Sequence, residues 1–366
     1  MGKLLSLIMK IFFIVLAIFL IYCATIGREF GIKQVNKIMG MYYVHVGDEA
    51  YRNNNMQEAV DAYQNGLNLF PEHYEAWLNL GNIYVAYEDY YSAAQAYQNA
   101  ILAKENYTLA RMNLGIISAE KLGDFDSAIA EYQSIVDSKH FLLSIPFVFD
   151  NKKSETDNKA IAYYNMGRAY SQKAFYLPQN KKKEKKELLG QAAVAYEKAH
   201  EITKNDYDIN YNLALTYHLL GDYRKAGQYY CKAIEASPMH YEAHYNLGLM
   251  LKHLNQPKYA IDELEKAAVL SSGKYSTHSK YIFDVLSTVT LEYQQKGEDK
   301  SIKDKIKINE PNIQEQPLIL VNGKVTATDE AEVAIVENFR KCMSKELFEE
   351  IGRAHVWTPV TLAHLV

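Results

Sequence analysis

Five asparagines occur in the same local setting, each directly before an apolar residue and then a glycine or an alanine. A side-chain amide offers two N–H donors and one acceptor oxygen, so it can pair with both halves of a peptide group. A row of such side chains can hold an extended chain by its backbone, with little dependence on the sequence of that chain. The alternative is that asparagine is only tolerated there on a solvated surface. The five residues are Asn79, Asn113, Asn165, Asn212 and Asn246.

The sequence lacks the usual motifs of enzymes. It contains no phosphate-binding Gly-Lys-Ser/Thr loop, no dinucleotide-binding glycine fingerprint and no Cys-x-x-Cys. His240 and His244 flank Glu242, but their order is not His-Glu-x-x-His, so we assign no metal site to them. The formal net charge of −4 and the pI of about 6.3 argue against a dedicated nucleic-acid binder. We therefore expect no enzymatic activity, no cofactor, no small-molecule substrate and no nucleic-acid partner.

The asparagines recur because the chain repeats itself. Gly47, Gly81 and Gly115 are each 34 residues apart, and the same interval separates Tyr63 from Tyr97. A fixed period of this size indicates one supersecondary unit that is copied and stacked. A stacked array presents an extended surface, and this favours a binding function over a catalytic pocket.

The spacing of apolar residues within one period predicts two helices. In residues 74–107, Trp77, Leu80 and Tyr84 share one helical face, and a second stripe of apolar residues begins at Ala93. Neither helix can bury its stripe alone, so neighbouring repeats must complete each other's core.

This pattern resembles the tetratricopeptide repeat, and we count six units. The units are residues 40–73, 74–107, about 108–139, a fourth that begins near 158 and resumes at 192, then 207–240 and 241–274. The resemblance implies an all-α solenoid. The spacing of apolar residues predicts one further helix over 275–296, which would cover the open end of the array. The repeat domain as a whole is assigned to residues 36–296.

In this family the first helix of each unit lines a concave groove, and the resemblance implies that the five asparagines point into it. Asn82 and Arg168 fall on the same face and are further candidates for groove residues. Helices stacked roughly 8–10 Å apart match about three residues of an extended chain. We therefore predict a scaffold or adaptor that binds an extended segment of another protein.

The first residues of the chain are strongly apolar. Residues 7–26 contain one charged residue, Lys10, and are long enough to cross a bilayer. The sequence therefore predicts a single-pass membrane anchor and juxtamembrane segment over residues 1–35, with a cleaved signal peptide as the alternative. The distribution of basic residues hardly discriminates between the two topologies. Lys3 and Lys10 slightly favour a cytoplasmic N-terminus and therefore an exported repeat domain.

Two insertions are predicted to interrupt the fourth repeat and its approach, at about residues 140–157 and 173–190. The first contains the apolar run 141–149, which either tucks into the array or forms an exposed patch. The second contains five lysines within residues 181–186, which we interpret as a solvated loop or a site for anionic lipid headgroups.

The last part of the chain is predicted to be separate from the repeats. Residues 297–316 have the composition of a linker, and 317–350 carry the signals of a hairpin followed by a helix, a small α/β segment. Residues 351–366 resemble a translated sequencing adapter, which implies a natural chain cut near Glu350. The alternative function is therefore the regulatory half of an enzyme, or an assembly factor, whose C-terminal part is missing.

Overall fold

The computed structural model describes residues 2–138, 151–271 and 276–298, and over these residues the secondary structure consists of thirteen α-helices. In chain order they are α1 (Gly2–Arg52), α2 (Met56–Leu69), α3 (Tyr74–Ala86), α4 (Tyr90–Ala103), α5 (Thr108–Glu120), α6 (Phe125–Asp137), α7 (Asn151–Tyr176), α8 (Lys182–Ile202), α9 (Tyr207–Leu220), α10 (Tyr223–Ala236), α11 (Tyr241–His253), α12 (Pro257–Ser271) and α13 (Ser276–Glu298). The chain divides into two units, Met1–Ser138 and Lys139–Val366.

The first unit is built from three successive helix pairs. Helices α1 and α2, α3 and α4, and α5 and α6 pack against each other, and the pairs meet through α2–α3 and α4–α5 contacts. Helix α1 is 51 residues long, and it takes part in the first pair through Gly40 and Val44, which lie against α2. The core of this unit contains the buried rings of Tyr63 and Tyr97.

The second unit repeats the same arrangement with α7–α8, α9–α10 and α11–α12. Helix α13 packs on α12 and buries Ile282, Val285 and Val289, as the predicted apolar stripe of a last helix requires. The all-α fold of stacked helix pairs that the sequence predicts is confirmed.

In every described pair except α7–α8, the turn between the two helices contains a residue in the left-handed region. Asn54 and Glu88 are 34 residues apart with φ of 62° and 59°, and Gly221 and Asn255 repeat that interval with φ of 81° and 56°. The third turn carries one extra residue and places Gly123 at φ 67°. The helix that follows the turn is often capped by an aspartate, as when Asp124 accepts a hydrogen bond from the backbone N–H of Ser127 at 3.1 Å.

The lysine-rich insertion differs from its prediction as a loop. Helix α7 continues to Tyr176 and α8 begins at Lys182, so the insertion mainly lengthens these two helices. Two lysines there pair with glutamates one helical turn away, Lys181 with Glu184 and Lys183 with Glu187. Such i,i+3 and i,i+4 ion pairs stabilise a helix, and the lysine content of the segment alone does not indicate this.

The small α/β segment was predicted at residues 317–350, which lie outside the described ranges, so the structure offers no support for it. The same is true of the apolar run 141–149, of the linker beyond Glu298, and of the adapter-like residues 351–366.

The structure also contradicts the prediction of a single-pass membrane protein. Across the residues that the structure describes, no helix combines the length and the apolar character that crossing a membrane requires. The apolar stretch 7–26 does not end as a separate element. It continues through Arg28, Glu29 and Lys33 into the last turns of α1, which belong to the first helix pair.

Candidate peptide-binding surface

Three side chains from three helices of the first unit meet at the hydroxyl of Tyr63. Tyr63, on α2, donates a hydrogen bond of 2.6 Å to Oδ1 of Asp48, on α1. Asn79, on α3, donates from Nδ2 to the Tyr63 hydroxyl at 3.3 Å and to Asp48 Oδ1 at 3.4 Å. We call Asp48, Tyr63 and Asn79 the first node. It joins the first helix pair to the second by polar contacts.

A second node occurs one period later. Asn82, Tyr97 and Asn113 each follow their counterparts in the first node by 34 residues. Tyr97, on α4, donates to Asn82 Oδ1 on α3 at 2.7 Å, and Asn113 Nδ2 on α5 donates to the same oxygen at 3.2 Å. The sequence repeat has thus reproduced a side-chain hydrogen-bond network as well as a backbone fold.

The tyrosines of both nodes are neutral donors at physiological pH. Burial raises the pKa of Tyr97 to about 12, although the hydrogen bond from Asn113 opposes the rise. Burial also raises the pKa of Tyr63, and the hydrogen bond to the Asp48 carboxylate and its charge raise it further. Each hydroxyl proton therefore points at a fixed acceptor oxygen, and this holds the acceptor side chain in one orientation.

The nodes leave polar atoms directed away from the core. Asn79, Asn82 and Asn113 are all partly exposed. Within the described part of the chain, Asn79 Oδ1, Asn113 Oδ1 and the Asn82 Nδ2 group have no hydrogen-bond partner, so two acceptors and two N–H donors are available. This is the set of atoms that a peptide backbone can use.

The asparagines of the second unit bind tyrosines in a different way. Asn212 Nδ2 donates to the backbone oxygen of Asp208 at 2.8 Å and to the Tyr164 hydroxyl at 3.4 Å. Asn246 Nδ2 donates to the Tyr211 hydroxyl at 2.7 Å. In both cases the hydroxyl acceptor belongs to the residue that directly precedes the asparagine of the previous repeat.

The residue at this place in the previous repeat accounts for the difference. For Asn79 it is Val44 and for Asn113 it is Leu78, and neither carries a hydroxyl, so these amides donate to the acceptors of the two nodes instead. For Asn212 and Asn246 it is Tyr164 and Tyr211. A tyrosine at this place offers a hydroxyl to the amide of the next repeat.

The remaining predicted groove residues are not equally accessible. Arg168 is partly exposed, and its guanidinium carbon lies 5.9 Å from the ring centre of Tyr164. Asn212 is partly exposed as well, whereas Asn165 is 8% exposed and Asn246 has no exposed surface. The structure therefore places Asn79, Asn82 and Asn113 together at the surface of the first unit, and it buries two of the three predicted asparagines of the second.

Sequence reasoning missed Asp48. His45 stands one period before Asn79 and was recognised as the departure from the asparagine pattern in the first repeat. The same register places Asp48 one period before Asn82, and extending the comparison by three residues would have found it. The hydroxyls of Tyr63 and Tyr97 were missed for another reason, because these tyrosines were assigned only to the apolar core.

Comparison with known proteins supports the repeat assignment. Family models of the tetratricopeptide repeat match residues 47–106, 84–139 and 207–240. These segments are tetratricopeptide repeats, and they include helices from both units. A search of curated proteins finds no match to the chain.

Solved structures that resemble the chain do so at low sequence identity. PilW, a type IV pilus biogenesis factor, is 16% identical, with a TM-score of 0.46 over 67% of this chain and 98% of its own. Pseudomonas aeruginosa pilF is 13% identical, with a TM-score of 0.46 over 71% and 99%. MamA from Desulfovibrio magneticus RS-1 is 16% identical, with a TM-score of 0.41 over 55% and 96%. These likenesses concern the fold alone.

Proposed function

We propose that this protein is an interaction module, and that its first unit holds an extended segment of a partner protein along α1, α3 and α5. The observation that carries the proposal is the row of outward amide atoms on Asn79, Asn82 and Asn113. Their other polar atoms are already used in the two nodes, so the row is fixed before any ligand arrives. A fixed row binds more tightly than a mobile one, because less side-chain freedom is lost on association.

The chemistry of this row suits a peptide backbone better than a particular side chain. Two acceptor oxygens can each receive a peptide N–H, and the Asn82 amide can donate to a peptide carbonyl. Packed helices are usually roughly 8–10 Å apart, and three residues of extended chain cover that distance. Recognition of this kind needs no catalytic group, and we propose a non-enzymatic role.

The second unit is a less direct candidate for the same role. Asn212 and Arg168 are partly exposed and remain proposed groove residues. Asn165 and Asn246 remain predictions from the sequence. Both are buried, so a ligand would reach them only if the packing of the unit changed. The alternative of a regulatory half of an enzyme rests on residues 317–350, outside the described ranges, and we place the tests on the first unit.

The test is a selection of random twelve-residue peptides displayed on phage, followed by fluorescence anisotropy with synthetic peptides on the full chain. The double variant Asn79→Ala, Asn113→Ala removes two acceptors and should weaken binding roughly tenfold or more, at about 1 kcal/mol for each hydrogen bond. Circular dichroism and gel filtration establish that the variant remains folded. A wild-type protein that selects no peptide, or a double variant that binds the selected peptide unchanged, would contradict the proposal.

Tyr63→Phe is the matched control. It removes a hydroxyl from the first node, as the alanine substitution of Asn79 removes an amide, and both should lower stability by roughly 1 kcal/mol. Tyr63→Phe leaves the outward oxygen of Asn79 in place, however, and should retain peptide binding within about threefold. Equal loss of binding in Tyr63→Phe and in the asparagine variant would mean that the Asn79 amide affects binding only through the stability of the fold.

A further inference from the structure

The two nodes have the same geometry and differ in one acceptor residue. Asp48 in the first node stands where Asn82 stands in the second, and each accepts a tyrosine hydroxyl and an asparagine amide on its Oδ1 atom. The chain therefore contains a carboxylate and a carboxamide of nearly the same shape in equivalent surroundings. The difference between them is charge.

The charge of Asp48 is not neutralised within the described part of the chain. No Lys, Arg or His nitrogen of those residues lies within 4.0 Å of the Asp48 carboxylate. Arg52, one turn further along α1, donates from Nε to the backbone oxygen of Asp48 at 3.1 Å instead. His45, one turn earlier, lies 3.5 Å from Glu49. The carboxylate is partly exposed, and both recorded hydrogen bonds fall on Oδ1, so Oδ2 has no partner among these residues.

We propose that Asp48 gives the peptide-binding surface a charge-selective end, at which it binds the cationic side chain of a lysine or an arginine in the bound segment. The Asn82 node, one repeat away, takes a neutral residue. The two positions in the peptide are about three residues apart, because that length of extended chain covers the spacing of neighbouring helices. This inference rests on the proposed function and names the class of its ligand.

The arrangement at Tyr63 makes the carboxylate a better receptor than an isolated surface aspartate. Two donors hold Oδ1 in place, so the side chain loses little freedom when a cation binds Oδ2. A hydrogen bond from an ammonium or a guanidinium to a carboxylate is roughly twice as strong as one between neutral groups. Asn82 offers no such gain, since the atom that stands in place of Oδ2 is the amide nitrogen Nδ2, whose N–H groups repel a cation.

The chain supplies its own matched variants for the test. Asp48→Asn turns the first node into a copy of the second and keeps the acceptor for the Tyr63 hydroxyl, so the fold should be preserved. Asn82→Asp makes the reciprocal change. The probes are N-acetylated peptides from the phage selection, each paired with a version in which the selected lysine is replaced by norleucine. Acetylation removes the terminal ammonium as a second possible cation.

The wild-type protein should enrich lysine or arginine at one peptide position and bind the lysine form roughly fivefold to tenfold more tightly than the norleucine form. Asp48→Asn should abolish that difference and leave the affinity for the norleucine form unchanged. Asn82→Asp should create a second preference for a basic residue, about three positions away. Both preferences should weaken in 0.5 M salt.

Three results separate the inference from the proposed function. Peptides selected without a basic residue, or an unchanged lysine preference in Asp48→Asn, would overturn the inference and leave the peptide-binding surface intact. A preference that disappears when the acetyl group is omitted from the norleucine peptide would assign the site to a terminal ammonium and overturn the side-chain form stated here. No selected peptide at all would overturn both proposals.

Discussion

Gly81 and Tyr97 approach so closely that the glycine has no room for a side chain. A Cβ atom built on Gly81 would lie 2.5 Å from Cε1 of Tyr97, well inside van der Waals contact. The relation recurs between Gly47 and Tyr63, where the distance would be 2.8 Å. The tyrosine ring of the second helix thus lies directly on the backbone of the first, and its hydroxyl reaches the surface on the far side, where the node forms.

Gly81→Ala should therefore destabilise the protein by roughly 1–3 kcal/mol, because the ring of Tyr97 must move out of a packed core. Urea unfolding followed by circular dichroism measures the change. Gly190→Ala is the control, since this helical glycine of α8 has no neighbouring atom within 4 Å and alanine favours a helix by roughly 0.5–1 kcal/mol. Equal effects at the two positions would show that close packing on Tyr97 is not the reason for the glycine.

Glu88 is strained in the turn between α3 and α4. Its φ of 59° costs an ordinary residue roughly 1–2 kcal/mol, and the equivalent places hold asparagine or glycine. Glu88→Gly should raise the free energy of unfolding by roughly 0.5–1 kcal/mol after the greater freedom of glycine in the unfolded chain is allowed for. Gly221→Ala, at the equivalent turn with φ of 81°, should lower it. A destabilised Glu88→Gly variant would refute this account of the turn.

Glu263 is a buried carboxylate held by two donors. His244 Nδ1 and Lys266 Nζ each lie 2.7 Å from one of its oxygens. Burial alone raises the pKa of Glu263, but the hydrogen bond and charge of His244 and the charge of Lys266 outweigh burial and lower the pKa below its ordinary value of 4.5. Glu263→Gln removes this charge from the buried group, while Lys266 keeps its ion pair with Asp262 at 2.8 Å, and the substitution should cost roughly 1–3 kcal/mol at pH 7.

The effect of this substitution should depend on pH in a defined direction. Because the folded-state pKa is depressed, the carboxylate contributes its full stability above pH 4.5 and loses it as the pH falls through the lower folded-state pKa. The difference between wild type and Glu263→Gln should therefore shrink from pH 7 to pH 3.5 in urea unfolding. Glu265→Gln, at an exposed neighbouring position, should change stability by less than about 0.5 kcal/mol. A constant difference across this range would mean that Glu263 is not ionised in the fold.

The sequence was a good guide to the features that depend on its period. The interval between Gly47, Gly81 and Gly115 was sufficient to predict paired helices, and the asparagine row followed from the same register. Asp48 follows the same period, one interval before Asn82, and a comparison of those two positions would have found it. The strand expected after the repeats and the membrane anchor expected before α2 came from local composition, without support from the period.

The direction of each asparagine amide was beyond a reading of the sequence alone. It depends on which acceptor oxygen lies within about 3 Å, and that is a property of how α2 meets α3 or how α7 meets α9. Leu78 and Tyr164 hold equivalent places, yet Asn113 in the repeat after Leu78 donates to Asn82, whereas Asn212 in the repeat after Tyr164 donates to the Tyr164 hydroxyl. Likewise, the burial of Asn246 depends on packing around α11 that spacing does not reveal.

The most direct test of the central claim is the response of side-chain amide resonances to a bound peptide. In a nitrogen–proton correlation spectrum of the full chain, a selected peptide should shift the side-chain amide signals of Asn79, Asn82 and Asn113. Asn210 serves as the internal reference, because it is wholly buried and donates to the backbone oxygens of Lys204 and Asp206 at 2.9 and 2.8 Å. Shifts at the three surface amides with an unchanged Asn210 are predicted; a peptide that binds while all three stay unmoved would contradict the account.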